Sequence, residues 1–363
     1  MIEGLDQAKK LLDASKRVLI LTPQNPGVDS FASAVSLSYT LNNKGKVVNL
    51  HPRNIPQNYA PLFPKPTNPS RFVITVRGKE ISELYYEKEN QILKIFLSPK
   101  DNKINKDDIN FDDFQELPET ESDLLITIGV ENLEKLGNFY EKNFKLFYQT
   151  PILNIDNQIT NSRFGNVNLI AGNLPMALIS NRLIELLQDP TDSNTKTWIL
   201  AGIIAFSRDK EINQEITSSV FGLISSNIHY KELLKFFAKD KDSRQLKLLE
   251  TALRKIEFRR EKQLPIICLT KKDFQESGAR PKDLGFILKE LTGNILQLPT
   301  LLLLWENENR QNPVMGVFYS PKPYSSGKIL ETFDGETKGK GIIFKTENGN
   351  MNDVKEKVME VIF

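Results

Sequence analysis

The sequence has one cysteine, two histidines and no long apolar run, and each scarcity excludes a class of function. With Cys268 as its single cysteine, the chain forms no internal disulfide and no cysteine-based zinc site. With only His51 and His229, a metal site built mainly from imidazoles is excluded. No apolar run approaches the roughly 20 residues that span a bilayer, so we expect no membrane partner.

Neither sign of charge dominates the chain. Lysine and arginine total 48 and the acidic residues 46, which gives a formal net charge of +2. Such a balance creates no strong electrostatic field that would attract nucleic acid or an anionic membrane to the whole molecule. It does not exclude local basic patches. The first residues lack the apolar segment of a signal peptide, and we expect a cytoplasmic protein.

The hydrophobic pattern predicts an α/β fold with two domains. At 363 residues the chain exceeds the usual size of a single core. We expect a mostly parallel sheet flanked by helices, followed by a smaller mixed α/β domain, because short apolar strands alternate with helical segments. The predicted parts are a first domain over 1–210 with an insertion at about 52–121, a helical linker over 211–262 and a second domain over 263–363.

Individual elements follow from periodicity and punctuation. We expect Asp29 or Ser30 to cap a helix over 31–43, and Cys268 to be an inert thiol inside a strand. The predicted strands are 17–22, 46–50, 71–76, 92–97, 123–129, 151–155, 264–269, 299–305, 313–319 and 341–345. The predicted helices are 4–15, 31–43, 131–143, 174–188, 195–206, several within 211–262, 271–276, 281–291 and 351–362, with a Gly/Lys-rich loop at 334–341.

The most informative segment follows the apolar residues 151–153 and reads Asn154-Ile-Asp-Asn-Gln-Ile-Thr-Asn-Ser-Arg-Phe-Gly165. It resembles the signature of DHH phosphoesterases, in which a strand is followed by Asp-His-His and then Thr-Asn-x-x-Phe-Gly. Asp156 keeps the aspartate of that signature, whereas Asn157 and Gln158 stand in place of the two histidines.

Three further strand ends resemble DHH motifs in the family's order. In the first, Thr22, Asn25, Pro26 and Asp29 match Thr-His-x-Asn-Pro-Asp-Gly-Asp-Ala. The second follows the strand at 123–129, and the third is Ala-Gly-Ile-x-x-Phe at 201–206. The positions at which the family's metal ligands are lost are Pro23, Gly27, Gly129, Asn157, Gln158 and Phe206.

The C-terminal part resembles the companion DHHA1 domain. Residues 333–344 align without a gap to its Phe-Gly-Gly-Gly-Gly-His loop, and Lys338 occupies the histidine position. The phosphate-gripping arginine of the family is missing from the segment at 316–320. Among DHH proteins, the oligoribonuclease and 3′-phosphoadenosine-5′-phosphate phosphatase type is the most similar.

The resemblance implies a two-metal phosphoesterase that has lost its metals. DHH enzymes use two Mn²⁺ or Mg²⁺ ions to position water and stabilise phosphoryl transfer, and such ions need oxygen ligands with imidazole help. Asp29 and Asp156 remain as relics of that ligand set, and Phe206 is expected to fill the pocket. We therefore expect no cofactor and no intact catalytic residue.

The cleft in which DHH enzymes hold their metals can still bind a ligand in this chain. Backbone amides near Asp29 form a generic anion site, and the loop at 334–341 is basic and rich in glycine. Tyr319 or Tyr324 could stack on a base. A solvated turn and ordinary sheet packing are the alternatives. The candidate ligand-binding residues are Asn25, Asn161, Arg163, Gly335, Lys338, Lys340 and Gly341.

Three functions remain open from the sequence. The first is an inactive DHH relative that binds a nucleotide, a short single-stranded oligonucleotide or a protein partner. The second is an active Mn²⁺- or Mg²⁺-dependent phosphoesterase with ligands rebuilt from Asp29, Glu131 and Asp156, although Glu131 is also placed to cap or start the next helix. The third is a structural or oligomerisation protein, for instance a homodimer.

Overall fold

The fold is known from a computed structural model of the chain. It falls into two compact units, one formed by residues 1–63 with 122–363 and the other by residues 64–121. The residues described are 2–52, 58–63, 72–76, 78, 80–89, 92–100, 103–113, 121–187, 191–208, 210, 212–224, 226–238, 241–259, 264–307, 313–321, 323–346 and 349–362.

Strands and helices alternate through most of the chain. The strands are β1 (Arg17–Leu21), β2 (Val47–His51), β3 (Phe72–Val76), β4 (Ile81–Glu89), β5 (Ile92–Pro99), β6 (Ile109–Asp113), β7 (Leu124–Ile128), β8 (Ile152–Asp156), β9 (Val167–Ile170), β10 (Glu257–Arg259), β11 (Leu264–Leu269), β12 (Leu301–Glu306), β13 (Val314–Tyr319), β14 (Asp334–Lys338) and β15 (Gly341–Lys345). The helices are α1 (Leu5–Ala14), α2 (Val28–Asn43), α3 (Asn138–Lys142), α4 (Phe144–Gln149), α5 (Met176–Leu186), α6 (Ser193–Ser207), α7 (Gln214–Ile224), α8 (Tyr230–Phe237), α9 (Ser243–Arg254), α10 (Lys271–Ser277), α11 (Leu284–Lys289), α12 (Pro323–Thr332) and α13 (Met351–Ile362).

The first sheet has five parallel strands in the order β2-β1-β7-β8-β9. From β1 the chain adds β2 on one side and later places β7 on the other. The strand order therefore reverses between β1 and β7. In open α/β sheets a crevice opens at the carboxyl ends of the strands at such a switch point, and ligands bind there.

Both faces of this sheet are buried, as its nearly continuous apolar strands require. Along β1, Val18 and Ile20 join the core that contains the residues of α2, α5 and α6. Leu19 and Leu21 face the other way and pack with residues of α3 and α4. The alternation of side chains along a strand thus supplies two separate cores from one short sequence.

The second sheet has six strands in the order β10-β11-β12-β13-β15-β14 and mixes parallel and antiparallel pairs. One face packs against α12 and α13. The other face joins the same apolar cluster that covers the first sheet. A parallel sheet flanked by helices and a smaller mixed sheet confirm the predicted α/β class, while the predicted domain boundaries at 210 and 263 stay predictions.

The unit formed by residues 64–121 contains two two-stranded antiparallel sheets, β3 with β6 and β4 with β5. The predicted strands at 71–76 and 92–97 are confirmed by β3 and β5. The strands β4 and β6 were not predicted, because their many charged residues interrupt the apolar pattern. Such strands can form without an alternating apolar pattern, because pairing with a neighbouring strand satisfies their backbone hydrogen-bonding groups.

Three local predictions are wrong, and some elements were not predicted. The expected loop at 334–341 contains the strand β14, which pairs with β15 around a turn at Gly339. The expected helix at 131–143 is interrupted at Gly137, whose φ of 56° divides a 3₁₀ turn from α3. Neither β9 nor α12 was anticipated. Neither Asp29 nor Ser30 caps α2, because the cap residue is Gly27 and no side chain caps that end.

Candidate functional site

The candidate site lies where the parallel strands of the first sheet end. Asp29 occupies the first turn of α2, after the loop that leaves β1. Gly129 directly follows β7, and Asp156 is the last residue of β8. The topology of the sheet therefore brings three of the four DHH-like segments to one edge, whereas the fourth, at 201–206, lies inside α6 and not at a strand end.

Asp29 is buried and fastens one helix to another. Its Oδ1 accepts a hydrogen bond of 2.8 Å from the backbone amide of Ala177, and its Oδ2 accepts one of 2.9 Å from that of Met176. Both amides belong to the first turn of α5, whose amino end carries a partial positive charge. The carboxylate expected to hold a metal or cap its own helix thus caps a helix far along the chain.

Burial raises the pKa of the Asp29 carboxyl from 3.8 to about 7. The hydrogen bonds from Ala177 and Met176 act in the opposite direction, and the charge of Asp156 adds to the rise. The Nδ2 of Asn157, which stands at a lost histidine position, donates to Oδ2 of Asp29 at 3.3 Å. These contacts come from neutral amides, so no cationic side chain compensates the charge.

Asp156 is held in the same manner by neutral donors. Its Oδ1 accepts from the backbone amides of Asn157 at 2.7 Å and Gln158 at 3.3 Å, and its Oδ2 accepts from Nδ2 of Asn161 at 2.7 Å. Burial raises the pKa of Asp156, the nearby charge of Glu131 adds to the rise, and these hydrogen bonds lower it. The bond from Asn161 ties the turn after β8 to the end of that strand.

The side-chain amide of Asn161 is fully engaged inside the protein. Its Nδ2 also donates to the carbonyl of Val130 at 2.9 Å. Its Oδ1 accepts from Nδ2 of Asn154 at 2.8 Å and from the backbone amide of Arg163 at 2.8 Å. The amide has two donors and one carbonyl oxygen, so these bonds satisfy its usual capacity. The binding of a ligand by Asn161 stays a prediction that now requires some of these bonds to break.

Sequence reasoning missed Asn154, Thr127 and Asn168, which extend the network beneath the site. Asn154 is wholly buried in β8. It accepts a hydrogen bond from the Thr127 hydroxyl at 3.1 Å and donates to Oδ1 of Asn168 at 3.1 Å. The detectable signal was a polar side chain inside an otherwise apolar strand, because buried polar groups in proteins are paired.

Gly129 stands where the resemblance places a metal-bridging aspartate, and its surroundings leave no room for one. Its φ is +70°, a conformation that side chains rarely adopt. A Cβ there would lie 2.9 Å from Oγ of Ser30 and 3.2 Å from Sδ of Met176. Ser30 is fixed by a hydrogen bond of 2.8 Å to the carbonyl of Ile128.

The remaining lost-ligand positions divide into open and closed ones. A Cβ at Gly27 would meet nothing within 4 Å, so that position is open. Gln158 is exposed and Pro23 is half-buried. Phe206 is buried in the large core cluster of the first unit. The prediction that Phe206 fills the old pocket itself stays a prediction.

The candidate ligand-binding residues are not brought to one place by hydrogen bonds. Asn25 and Arg163 are exposed on loops at the strand ends. Gly335, Lys338, Lys340 and Gly341 belong to β14, β15 and their turn, and within the described ranges no hydrogen bond joins them to Asp29 or Asp156. Tyr319 ends β13 between Leu301 and Gly341, and the side chain of Tyr324 lies outside the described part.

The donor set does not fit a pair of divalent cations. Hard cations bind to clustered carboxylates, yet both oxygens of Asp29 already face backbone amides. Glu131 does not cap the next helical turn, since the Asn132 side chain accepts that hydrogen bond. Among the described residues, no group of three or more histidine, cysteine or acidic side chains is placed to hold a metal ion.

The scarce reactive residues include His51 and Cys268. The ring of His51, at the end of β2, packs 4.1 Å from that of Phe139. Burial raises the pKa of the Cys268 thiol to about 11, as expected for an inert thiol in a strand. None of the helices that the structure describes combines the length and apolar character needed to cross a bilayer.

Comparison with solved structures finds proteins that are weakly similar to this chain. An exopolyphosphatase-related protein from Bacteroides fragilis matches with a TM-score of 0.44 and 15% identity, covering 98% of this chain and 95% of that one. A protein from Methanococcus jannaschii described as a family II inorganic pyrophosphatase matches with a TM-score of 0.34 and 11% identity, over 95% of this chain and 99% of its own.

RecJ from Thermus thermophilus, in complex with Mn²⁺, matches with a TM-score of 0.31 and 12% identity over 99% of this chain and 54% of RecJ. No protein-family model and no curated protein matches the chain. Matches with identities and TM-scores this low carry no conclusion about what the chain binds or whether it reacts.

Proposed function

We propose that this DHH-like protein does not hydrolyse phosphate esters by the two-metal route and instead binds the phosphate of a nucleotide or short oligonucleotide at the strand ends. The observation that carries the first half is the engagement of Asp29. Each of its oxygens accepts a backbone amide of α5, so binding a cation would leave buried donors without partners. The occupied space around Gly129 supports the same conclusion.

The binding half is supported by the amino end of α2. This helix has 16 residues, begins after Gly27 and has no side-chain cap. Its first amides are therefore available to an anion, and the helix dipole favours negative charge there. Gly27 is exposed with open space above it, and Asn25 is exposed on the same loop.

The hydrolysis test combines metal content with turnover. We expect the purified chain to retain no Mn²⁺ by elemental analysis and to leave short single-stranded RNA and 3′-phosphoadenosine-5′-phosphate intact when Mn²⁺ is added. Two bound Mn²⁺ per chain, with chelator-sensitive hydrolysis that Asp29→Asn removes, would establish the active phosphoesterase instead. Asp29→Asn serves here because it keeps the size of the group and one acceptor for α5.

The binding test uses a charge at the open position. Gly27→Asp places a carboxylate beside the amides of α2, whereas Gly27→Asn places a neutral group of the same size there. We expect saturating AMP to raise the melting temperature of the wild type and of Gly27→Asn by more than that of Gly27→Asp. If saturating AMP shifts all three equally, phosphate binding at α2 is disproved.

A second candidate function is structural, and one feature of the 64–121 unit favours it. Cross-strand pairing places Leu84, Tyr86 and Leu93 on one face of the β4–β5 hairpin, and these side chains are 64%, 68% and 59% exposed. An exposed apolar patch of this kind is typical of an interaction surface. In this second candidate function, the chain associates with itself through this face, for instance as a homodimer.

A further inference from the structure

A cavity of about 440 Å³ opens on the side of the first sheet that carries α3 and α4. It lies between these helices and the loop that joins β8 to β9. Its volume falls within the roughly 300–1,000 Å³ of small-molecule pockets. None of its lining residues belongs to the network of Asp29 and Asp156, so the cavity is separate from the strand-end site.

Aromatic rings form the walls of this cavity, which we name the aromatic pocket; its walls are Tyr140, Phe147, Tyr148 and Phe164. The rings of Tyr140 and Phe147 meet edge to face, with centroids 5.1 Å apart and planes at 83°. Phe147 is buried in the core beneath, which fixes this wall. Tyr148 is 72% exposed. A planar ring that enters the pocket can therefore stack against the fixed ring of Phe147 and the exposed ring of Tyr148.

The described rim supplies polar atoms but no charge. Gln149 and Asn166 contribute amides, and among the described residues no acidic, basic or histidine side chain lines the pocket. Oδ1 of Asn166 accepts the backbone amide of Ile152 at 2.8 Å. This bond fixes the orientation of the amide and leaves Nδ2 as a donor that has no partner among the described residues.

The Tyr140 phenol remains a neutral donor and acceptor. Burial raises the pKa of the Tyr140 phenol, and the neighbouring Tyr148 and Glu134 add to the rise. Both phenol groups stand in the lining of the pocket. A ligand is thus offered flat apolar surfaces together with hydroxyl and amide groups.

We propose that the aromatic pocket binds a neutral planar heteroaromatic ring with hydrogen-bonding edges, of which a nucleobase is the model. Aromatic side chains stack on the face of such a ring. The Asn166 donor and the Gln149 amide match its ring nitrogens and exocyclic groups. An alkyl ligand would bury these polar groups without partners, and an ionic one would find no countercharge.

The ring can come from a free nucleoside or from a base within a single strand, since both present the same face and edges. A phosphate attached to it would remain outside the pocket because the lining carries no cation. Adenosine and AMP are therefore expected to bind the pocket with similar affinity. This expectation separates the aromatic pocket from the phosphate site proposed at α2.

The experiment measures binding of adenosine, AMP and a deoxyadenosine hexanucleotide by saturation-transfer difference NMR and calorimetry. Tyr148→Ala removes an exposed wall and is expected to weaken adenosine binding by about tenfold, the scale of one lost stacking contact. The matched control is Phe144→Ala. Phe144 is 51% exposed on the same helix and packs 4.5 Å from Tyr148, but it does not line the pocket.

A second variant tests the hydrogen bond from Asn166 to the edge of the bound ring. Asn166→Asp keeps an oxygen for the Ile152 amide but removes the Nδ2 donor, so adenosine binding should weaken while the melting temperature stays close to that of the wild type. A hexanucleotide that binds more tightly than adenosine, in a Tyr148-dependent way, identifies the source as a base within a strand. Equal binding of the two identifies a free nucleoside.

Two results would overturn the proposal. One is undetectable adenosine binding at millimolar concentration, and the other is binding that Phe144→Ala weakens as much as Tyr148→Ala does. The Gly27→Asp variant separates this outcome from that of the proposed function. A smaller AMP stabilisation of Gly27→Asp than of the wild type, with adenosine binding retained, supports both sites, whereas equal stabilisation of the two proteins by AMP leaves only the aromatic pocket.

Discussion

At the scale of single residues, Asp29 shows how a retained side chain can change its task. The resemblance to DHH motifs identified it as a relic metal ligand. In the structure its oxygens accept the first amides of α5, and its neighbours are the neutral groups of Asn157 and Met176. A carboxylate that satisfies two helix amides is a structural group even without a cation nearby.

The first prediction concerns pH. The folded-state pKa of Asp29 is about 7, above its ordinary 3.8, so the native chain binds more protons than the unfolded chain between these values. The stability from its protonated form is fully present below pH 3.8 and is lost as the pH rises through about 7. Relative to Asp29→Asn, the wild type should lose roughly 2–4 kcal/mol of unfolding free energy from pH 4 to pH 8.

Urea denaturation of both proteins at several pH values measures this difference. Asp242 provides a control of opposite sign, because hydrogen bonds from Arg244 hold its pKa at about 2. Its contribution is present above pH 3.8 and is lost only below it, so Asp242→Asn should show no such trend between pH 4 and pH 8. A parallel pH profile for the wild type and Asp29→Asn would contradict the buried, uncompensated charge.

At the scale of elements, the site depends on how closely α2, α5 and α6 approach one another. Gly202 of α6 faces this junction, where a Cβ would lie 2.5 Å from Cβ of Ala177 and 3.2 Å from both Cβ of Ala32 and Oδ1 of Asp29. In the resemblance to DHH proteins, this glycine belongs to the Ala-Gly-Ile motif at 201–206. Its physical role is to let α6 pack directly against the two helices that Asp29 connects.

The second prediction compares two glycine-to-alanine substitutions in helices. Gly202→Ala should lower the unfolding free energy by about 1–3 kcal/mol, because overpacking outweighs the gain in helix propensity. Gly222→Ala is the matched control, since Gly222 is exposed in α7 and its Cβ would meet nothing within 4 Å. There the same change should raise stability by about 0.5–1 kcal/mol. Stabilisation of both variants in thermal and urea unfolding would show that α6 can move away.

Also at this scale, the second sheet shows why sequence patterns can mislead. Gly335, Lys338 and Gly339 suggested a flexible loop for phosphate. Instead, β14 pairs with β15, and a Cβ at Gly335 would lie 2.6 Å from the carbonyl oxygen of Ile343. A glycine required by close backbone approach cannot be distinguished by composition from a glycine required by flexibility.

At the scale of the whole molecule, the apolar core is continuous across the two sheets of the first unit. One cluster contains residues from α2 and β1 as well as from β11 and β12. Among the described residues, its members run to Phe63 and resume at Leu124, and the other clusters likewise contain none from 64–121. The first unit therefore holds its own core without the segment at 64–121.

The third prediction follows from that separation. Replacing residues 64–121 by a short Gly/Ser linker should leave the cooperative unfolding of the first unit in place. Both tryptophans, Trp198 and Trp305, lie in that unit, and Trp198 donates a hydrogen bond of 3.0 Å to the carbonyl of Leu62, so their fluorescence reports on its core. A broad transition, or a shifted emission maximum before unfolding, would show that the segment is needed.

Light scattering on the same two proteins tests the structural candidate. Self-association through the β4–β5 hairpin predicts an oligomeric full-length chain and a monomeric excised chain. Equal masses for the two would remove the exposed face of Leu84, Tyr86 and Leu93 as the interface. The result bears on the hairpin alone, because neither the strand-end site nor the aromatic pocket contains residues of this segment.

The sequence by itself determined the buried strands and the chemistry that is missing. Apolar runs such as 17–22 and 264–269 became strands close to their predicted bounds, because burial on both faces leaves a nearly uninterrupted signal. The loss of imidazole and carboxylate at Asn157, Gln158 and Gly129 was equally readable, since a side chain's donor chemistry does not depend on its surroundings.

Only the tertiary structure decided what the remaining groups do. The partners of Asp29 lie 147 and 148 residues further along the chain, and they are backbone amides, which every non-proline residue carries. The aromatic pocket likewise joins α3 and α4 to a loop beyond β8. Contacts of this kind depend on which distant segments the fold brings together. A local pattern of residue types does not specify which segments those are.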